Sequence, residues 1–123
     1  MERKIKEGLN EVVQLYIDEK PRLAINDIST YHKFILERIL NEDKLKFESV
    51  NLGYDWNGPA LKGERYRVVG MGLVLRSGNS LFFSGGSEDY KIGINQEHLK
   101  ECKELLGDNF SIFISSDNYL VPL

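Results

Sequence analysis

ERKIKEGLNEVVQLYIDEKP, from Glu2 to Pro21, is the stretch on which the fold turns. Ile5, Leu9, Val12, Val13, Tyr16 and Ile17 fall at offsets 0, 4, 7, 8, 11 and 12, one face of a 3.6-residue helix. Gly8 weakens such a helix slightly, and Pro21 stops it because its ring clashes and lacks an N–H. The spacing therefore predicts a helix over 2–19.

A second helix is expected to start at Asp27 or Ser29, both good N-caps. Its apolar side would be Tyr31, Phe34, Ile35 and Ile39, with Leu36 and Leu40 beside them, and Asn41-Glu42-Asp43 would end it. Beyond it the pattern turns to strands. Lys44 to Glu48 alternates polar and apolar. Arg65 to Leu75 is long for one strand, and Gly70-Met71-Gly72 predicts a bulge or bend. Ser77-Gly78-Asn79 is a turn signal, Leu81-Phe82-Phe83 the next strand, and Tyr90 to Ile94 alternates again.

Asn95 is placed to cap a third helix, with Leu99, Cys102, Leu105 and Leu106 inward and Gly107 as its stop. A hairpin closes the chain: Phe110 to Ile114, a turn at Ser115-Ser116-Asp117-Asn118, then Tyr119 to Val121. The expected class is α+β. Two N-terminal helices and one later helix would pack on a mostly antiparallel sheet of about five to six strands, in the order α-α-β-β-β-β-α-β-β. The 123 residues fit a single domain, 1–123, long enough to bury a core without a disulfide or metal staple.

The one cysteine, Cys102, can form no intramolecular disulfide, and the chain opens with charged residues rather than an apolar leader. Those features predict a reducing cytoplasm and no membrane span. The net charge is −3. Residues 1–50 contribute −1, 51–83 contribute +2 and 84–123 contribute −4. A general nucleic-acid binder carries a basic excess, so none is expected as a partner; an acidic last third suits a basic one.

Motifs for chemistry are thin. Gly70-Met71-Gly72 lacks the third glycine of a dinucleotide fingerprint, and Ser84-Gly85-Gly86-Ser87 runs into Glu88, which repels phosphate. His98 and Cys102 share a helix face, but two ligands do not make a zinc site. Cys102 reads as a small buried residue and His98 as a surface one. Glu101 and Glu104 raise a nearby thiol's pKa and argue against a nucleophile. His32, beside the apolar stripe, reads as helix surface. Arg65-Tyr66-Arg67 resembles a nucleic-acid contact, but in a strand Tyr66 points opposite to both arginines and into the core. The sequence thus predicts no enzyme, no cofactor and no metal.

NLGYDWNGPALKGERYR, Asn51 to Arg67, holds the only tryptophan, Trp56, among turn residues. Trp56 either folds back to cap the core or stands out as an anchor for a partner, as tryptophans at interface hot spots do. The expected partner-binding residues are Tyr54, Asp55, Trp56 and Asn57, with Glu88, Asp89 and Asp117 steering a basic partner. A small acidic α+β domain with aromatic-acidic loops and no catalytic motif resembles the immunity proteins that bacteria keep beside contact-dependent or polymorphic toxins. The resemblance is one of whole-chain profile. It implies a protein that blocks a toxin's active site or substrate surface without turnover. Two alternatives stay open: a structural or adaptor domain with another protein partner, and a small-molecule site in a curved sheet lined by Tyr66, Tyr90, Phe82 or Phe83.

Overall fold

The computed structural model describes residues 5–116 and 119–123. Its first two elements are strands, not a helix: β1 (Gly8–Ile17) and β2 (Lys20–Asp27) form an antiparallel hairpin. This overturns the expected class and element order. The chain is mostly sheet, and no helix precedes β1 among the described residues.

The physical reason lies in Val12 to Ile17, which is buried throughout. Val13, Leu15 and Ile17 join one hydrophobic cluster and Val12 joins the other, on opposite faces of the strand. A strand buried on both faces reads as a continuous apolar run, and such a run also matches helical spacing. Leu15, which the helical reading omitted, breaks the tie, as does the β-branched and aromatic content of Val12, Val13, Tyr16 and Ile17. Asp18 and Glu19 form the two-residue turn, both at positive φ (51° and 64°). That is the twist a tight hairpin needs, usually supplied by Asn and Gly. In their place, Arg65 grips Asp18 through two bonds of 2.8 and 2.6 Å, and the Asp18 N–H donates to the Arg65 carbonyl at 2.8 Å. Pro21 is tolerated because β2 is the edge of its sheet.

The other elements are α1 (His32–Glu42), β3 (Ser49–Gly53), β4 (Trp56–Pro59), β5 (Tyr66–Ser77), β6 (Ser80–Ser84), β7 (Gly86–Ser87), β8 (Ile92–Gly93), α2 (Gln96–Glu101), α3 (Lys103–Leu106), β9 (Ser111–Ser116) and β10 (Tyr119–Pro122). The main sheet is six-stranded in the order β10-β9-β6-β5-β1-β2; β3–β4 and β7–β8 are small separate pairs. It is mixed: β6 and β9 run parallel, joined by a crossover through α2 and α3.

Each face of the sheet carries its own core. On one face α1 buries Ile35, Leu36, Ile39 and Leu40 against Val13, Leu15, Ala24 and Met71. On the other, Leu99 and Cys102 pack with Val12, Leu23, Val74, Leu81 and Phe83. Several local expectations need correction. Residues 44–48 form no strand, and only Ile92–Gly93 of the 90–94 stretch does. Leu105 is exposed rather than inward. The bulge expected at Gly70-Met71-Gly72 is present, beside Gly70, where Gln14 pairs with Gly70 and Leu15 with Val68. No helix among the described residues is long and apolar enough to cross a membrane.

Candidate functional site

The hairpin of β3 and β4 is closed by Asn51. Its Oδ1 accepts from the Gly53 N–H at 3.0 Å and its Nδ2 donates to the Tyr54 carbonyl at 2.9 Å. Tyr54 sits at the tip with φ 50° and is fully exposed; Asp55 beside it is also exposed. The base of the hairpin is anchored where the Tyr90 hydroxyl donates to the Pro59 carbonyl at 2.8 Å. Gly58 permits that approach, since a Cβ there would lie 2.7 Å from the Tyr90 oxygen. Asn57 has a framework role: its carbonyl accepts from Lys33 Nζ and its side chain meets Asn51.

Trp56 takes neither fate outright. It belongs to neither core cluster and is half-buried. Its Nε1–H donates to Asp89 Oδ2 at 3.1 Å. Its ring meets Tyr31 and Phe34 edge-on at centroid distances of 5.4 and 6.1 Å, and Lys33 Nζ stands 3.9 Å over its face. Thus a side-chain hydrogen bond ties the aromatic ring of the hairpin to the acidic 85–89 turn, residues 33 positions apart in sequence. Trp56 and Asp89 are in contact, with Tyr54 and Asp55 next to the one in the chain and Glu88 next to the other. Asp117 lies outside the described residues.

Tyr31 and Phe34 were expected inward on α1 and instead are 60% and 46% exposed. They extend the aromatic surface around Trp56. The hint in the sequence was excess: α1 has more apolar positions than one packing stripe requires.

Beside this cluster opens a cavity of about 420 Å³ whose walls include Glu11, Tyr31, His32, Ser87, Glu88 and Asp89. His32 is not a free surface residue. Its Nε2 lies 2.9 Å from the Gly72 carbonyl and 2.8 Å from Glu11 Oε2. A carbonyl only accepts, so Nε2 carries the proton and directs it there, while Glu11 Oε2 receives no well-aligned hydrogen bond. Burial pushes the Glu11 carboxyl above the usual carboxylate range, and His32 pulls it back. Among the described residues, no group of three or more His, Cys, Asp or Glu is placed to hold a metal ion.

The pair His98 and Cys102 belongs to the core. Both are fully buried, which corrects the expectation that His98 lies on the surface. Nε2 of His98 donates to the Leu15 carbonyl at 2.9 Å, leaving Nδ1 to accept from Gln14 Nε2 at 3.2 Å and to face Cys102 Sγ at 3.5 Å. The ring is held neutral: desolvation lowers its pKa below the ordinary 6.5, only partly offset by the Leu15 bond. The unfolded chain therefore binds this proton first as pH falls. Stability should be intact above about pH 6.5 and decline below it, toward the folded pKa. Thermal melts between about pH 7 and pH 5 should show a falling Tm, with a shallower fall in His98→Gln. Glu11 acts in the opposite sense, so equal slopes in the two proteins would refute the assignment to His98.

The remaining aromatic candidates are structural. Tyr66, Tyr90 and Phe83 are buried, and the Tyr66 hydroxyl donates to the Ala60 carbonyl at 2.6 Å. Arg65 and Arg67 pair with Asp18 and Glu19 at the turn of the first hairpin. Compared with known proteins, the chain matches no family model, no curated protein and no solved structure.

Proposed function

We propose that this protein is a binding module for a basic protein. Its place would be the bacterial cytoplasm, where it acts as an immunity protein and covers a cognate toxin's active site or substrate surface. The observation that carries the reading is the Trp56–Asp89 hydrogen bond. It unites half-exposed aromatic rings and carboxylates in one patch, the composition of an interface with an anchored centre and a charged rim. Tyr31, Phe34 and Trp56 offer contact area at low entropic cost because Tyr31 and Phe34 each already meet Trp56 edge-on and meet one another at a tilt. Glu88, Asp89 and Glu11 give that patch a negative field, which speeds encounter with a cationic surface.

The test is growth. Expressed alone, the toxin domain encoded beside this gene should halt cells, and co-expression of this protein should restore them. A harmless neighbouring product would overturn the toxin reading. Rim and anchor then separate kinetically. Glu88 is exposed, so Glu88→Lys should slow association roughly tenfold at low salt, with less effect at 0.5 M, and leave dissociation nearly unchanged. Equal association rates for the two proteins at low salt would remove Glu88 from the interface.

A further inference from the structure

The sheet has one face that α1 leaves half open. α1 packs over β1, β2 and β4. Beyond it, on the same face, the register lines up one residue from each of five strands: Leu9 with Leu75, Leu75 with Phe82, Phe82 with Phe113, and Phe113 with Pro122. Leu9 and Leu75 are 45% and 40% exposed, Pro122 is exposed, and the two phenylalanines are half-buried, stacked at 5.2 Å. Leu120 adds a further exposed side chain on β10, 50% accessible. Four inter-strand gaps of about 4.8 Å make this row about 19 Å long. Exposed apolar rows of that kind mark contact surfaces.

The row continues into the acidic cavity. Glu11 follows Leu9 on the same face of β1 and pairs with Leu73, which lies on the face of Leu75. The positions of β5 beyond Met71, and of β6, β9 and β10, that face this way carry no Lys or Arg. The only charge in the strand rows here is Glu11, and Glu88 and Asp89 stand across the cavity.

The geometry points to an amphipathic helix of a basic partner as the occupant, its apolar side on the Leu9–Leu75–Phe82–Phe113–Pro122 row and a Lys or Arg in the Glu11 cavity. Charge complementarity selects the cation, and for the partner's overall charge this rests on the proposed function. A helix is selected because β1, β5, β6 and β9 are each paired on both edges, so the face offers no backbone groups. An extended segment laid on it would lose hydrogen bonds to water without replacement, whereas a helix satisfies its own. α1 already packs in this manner on the other half of the face. About 13 helical residues span the row.

The test uses two synthetic 18-residue helical peptides with the same leucine face, one with lysines and arginines on its polar side and one with glutamates. Each is titrated into the full-length ¹⁵N-labelled protein. The cationic peptide should saturate and move the amides of Leu9, Leu75, Phe82 and Phe113 together with Glu11. Glu11→Gln and, separately, Leu75→Asn should each weaken it about tenfold. Circular dichroism and melting of each variant keep misfolding distinct from lost binding. Equal binding of the anionic peptide overturns the charge argument. Shifts confined to the Trp56 hairpin and Glu88 overturn the sheet-face site while leaving the proposed function standing. No binding of the cationic peptide at 1 mM overturns the helix. Dimerisation of the free protein in sedimentation, abolished by Leu75→Asn, would assign the row to a second copy instead.

Discussion

Gln14→Leu should destabilise the fold by about 3 kcal/mol and lower the melting temperature by roughly 10 °C. Gln14 is fully buried in the middle of β1, flanked by Val13 and Leu15, and its amide is fully occupied. Nε2 donates to the Asn95 carbonyl at 2.9 Å, and Oε1 accepts from the Asn95 N–H at 2.7 Å. The same Nε2 lies 3.2 Å from His98 Nδ1. Asn95 in turn caps α2, its side chain accepting from the His98 N–H at 2.9 Å. One side chain therefore couples the central hairpin to the start of the crossover. Leucine has nearly the same volume, so the substitution leaves little cavity. It leaves the Asn95 N–H and carbonyl, both partly shielded from water, without their partner, each worth about 1–3 kcal/mol, partly offset by the leucine's own burial. Gly70 is the counterpart across the strand pair. A Cβ there would lie 2.2 Å from Gln14 Oε1 and 2.9 Å from the Gly93 carbonyl, so the network also fixes that glycine. Denaturant unfolding of the wild type and Gln14→Leu measures the difference. A leucine variant as stable as the wild type would mean that the polar network contributes nothing net.

Gln14 also marks where the sequence misled. A lone glutamine in Val12–Ile17 is the polar break that makes a helical face plausible, whereas its hydrogen bonds reach residues more than eighty positions away. No local pattern reports such a partner. The β1–β2 turn was hidden for a related reason: Asp18-Glu19 has no Asn-Gly signature, and its positive φ values are held by Arg65, 47 residues later. Where the determinants are local the reading agrees with the structure. Ser77-Gly78-Asn79 leads from β5 into β6, Asn95 caps α2, and Gly107 ends α3 at φ 82°. In the candidate site, the hairpin residues announced themselves by composition. Glu11, Tyr31, His32 and Phe34 did not, because each falls in or beside an apolar pattern that its surroundings explain equally well. The open row of the sheet was invisible for the same reason, since its residues alternate as any half-covered strand does.

Trp56→Ala should weaken partner binding by about 2 kcal/mol or more, roughly 30-fold, while lowering stability by only about 1 kcal/mol. The small stability change follows from position. The ring is half-buried against Tyr31, Phe34 and Lys33 and stands outside both hydrophobic clusters, so removing it opens surface rather than a core cavity. The large binding change follows from what the ring organises. It supplies apolar area, it fixes Asp89 through Nε1, and it holds Tyr31 and Phe34 in place. Without it, Asp89 loses its donor, and the Tyr90–Pro59 bond is left to hold the 85–89 turn to the hairpin. Ordering that turn again on binding would cost free energy that the native protein has already met. Dissociation should therefore accelerate far more than association slows, the reverse of the pattern expected for Glu88→Lys. Trp56→Phe divides the two contributions: it keeps the edge contacts and loses the hydrogen bond, so its affinity should fall between wild type and alanine. Melting and binding curves on the same preparations decide the matter. A loss of about 3–5 kcal/mol in stability with unchanged affinity of the folded fraction would make Trp56 a core cap and remove the hairpin from the interface.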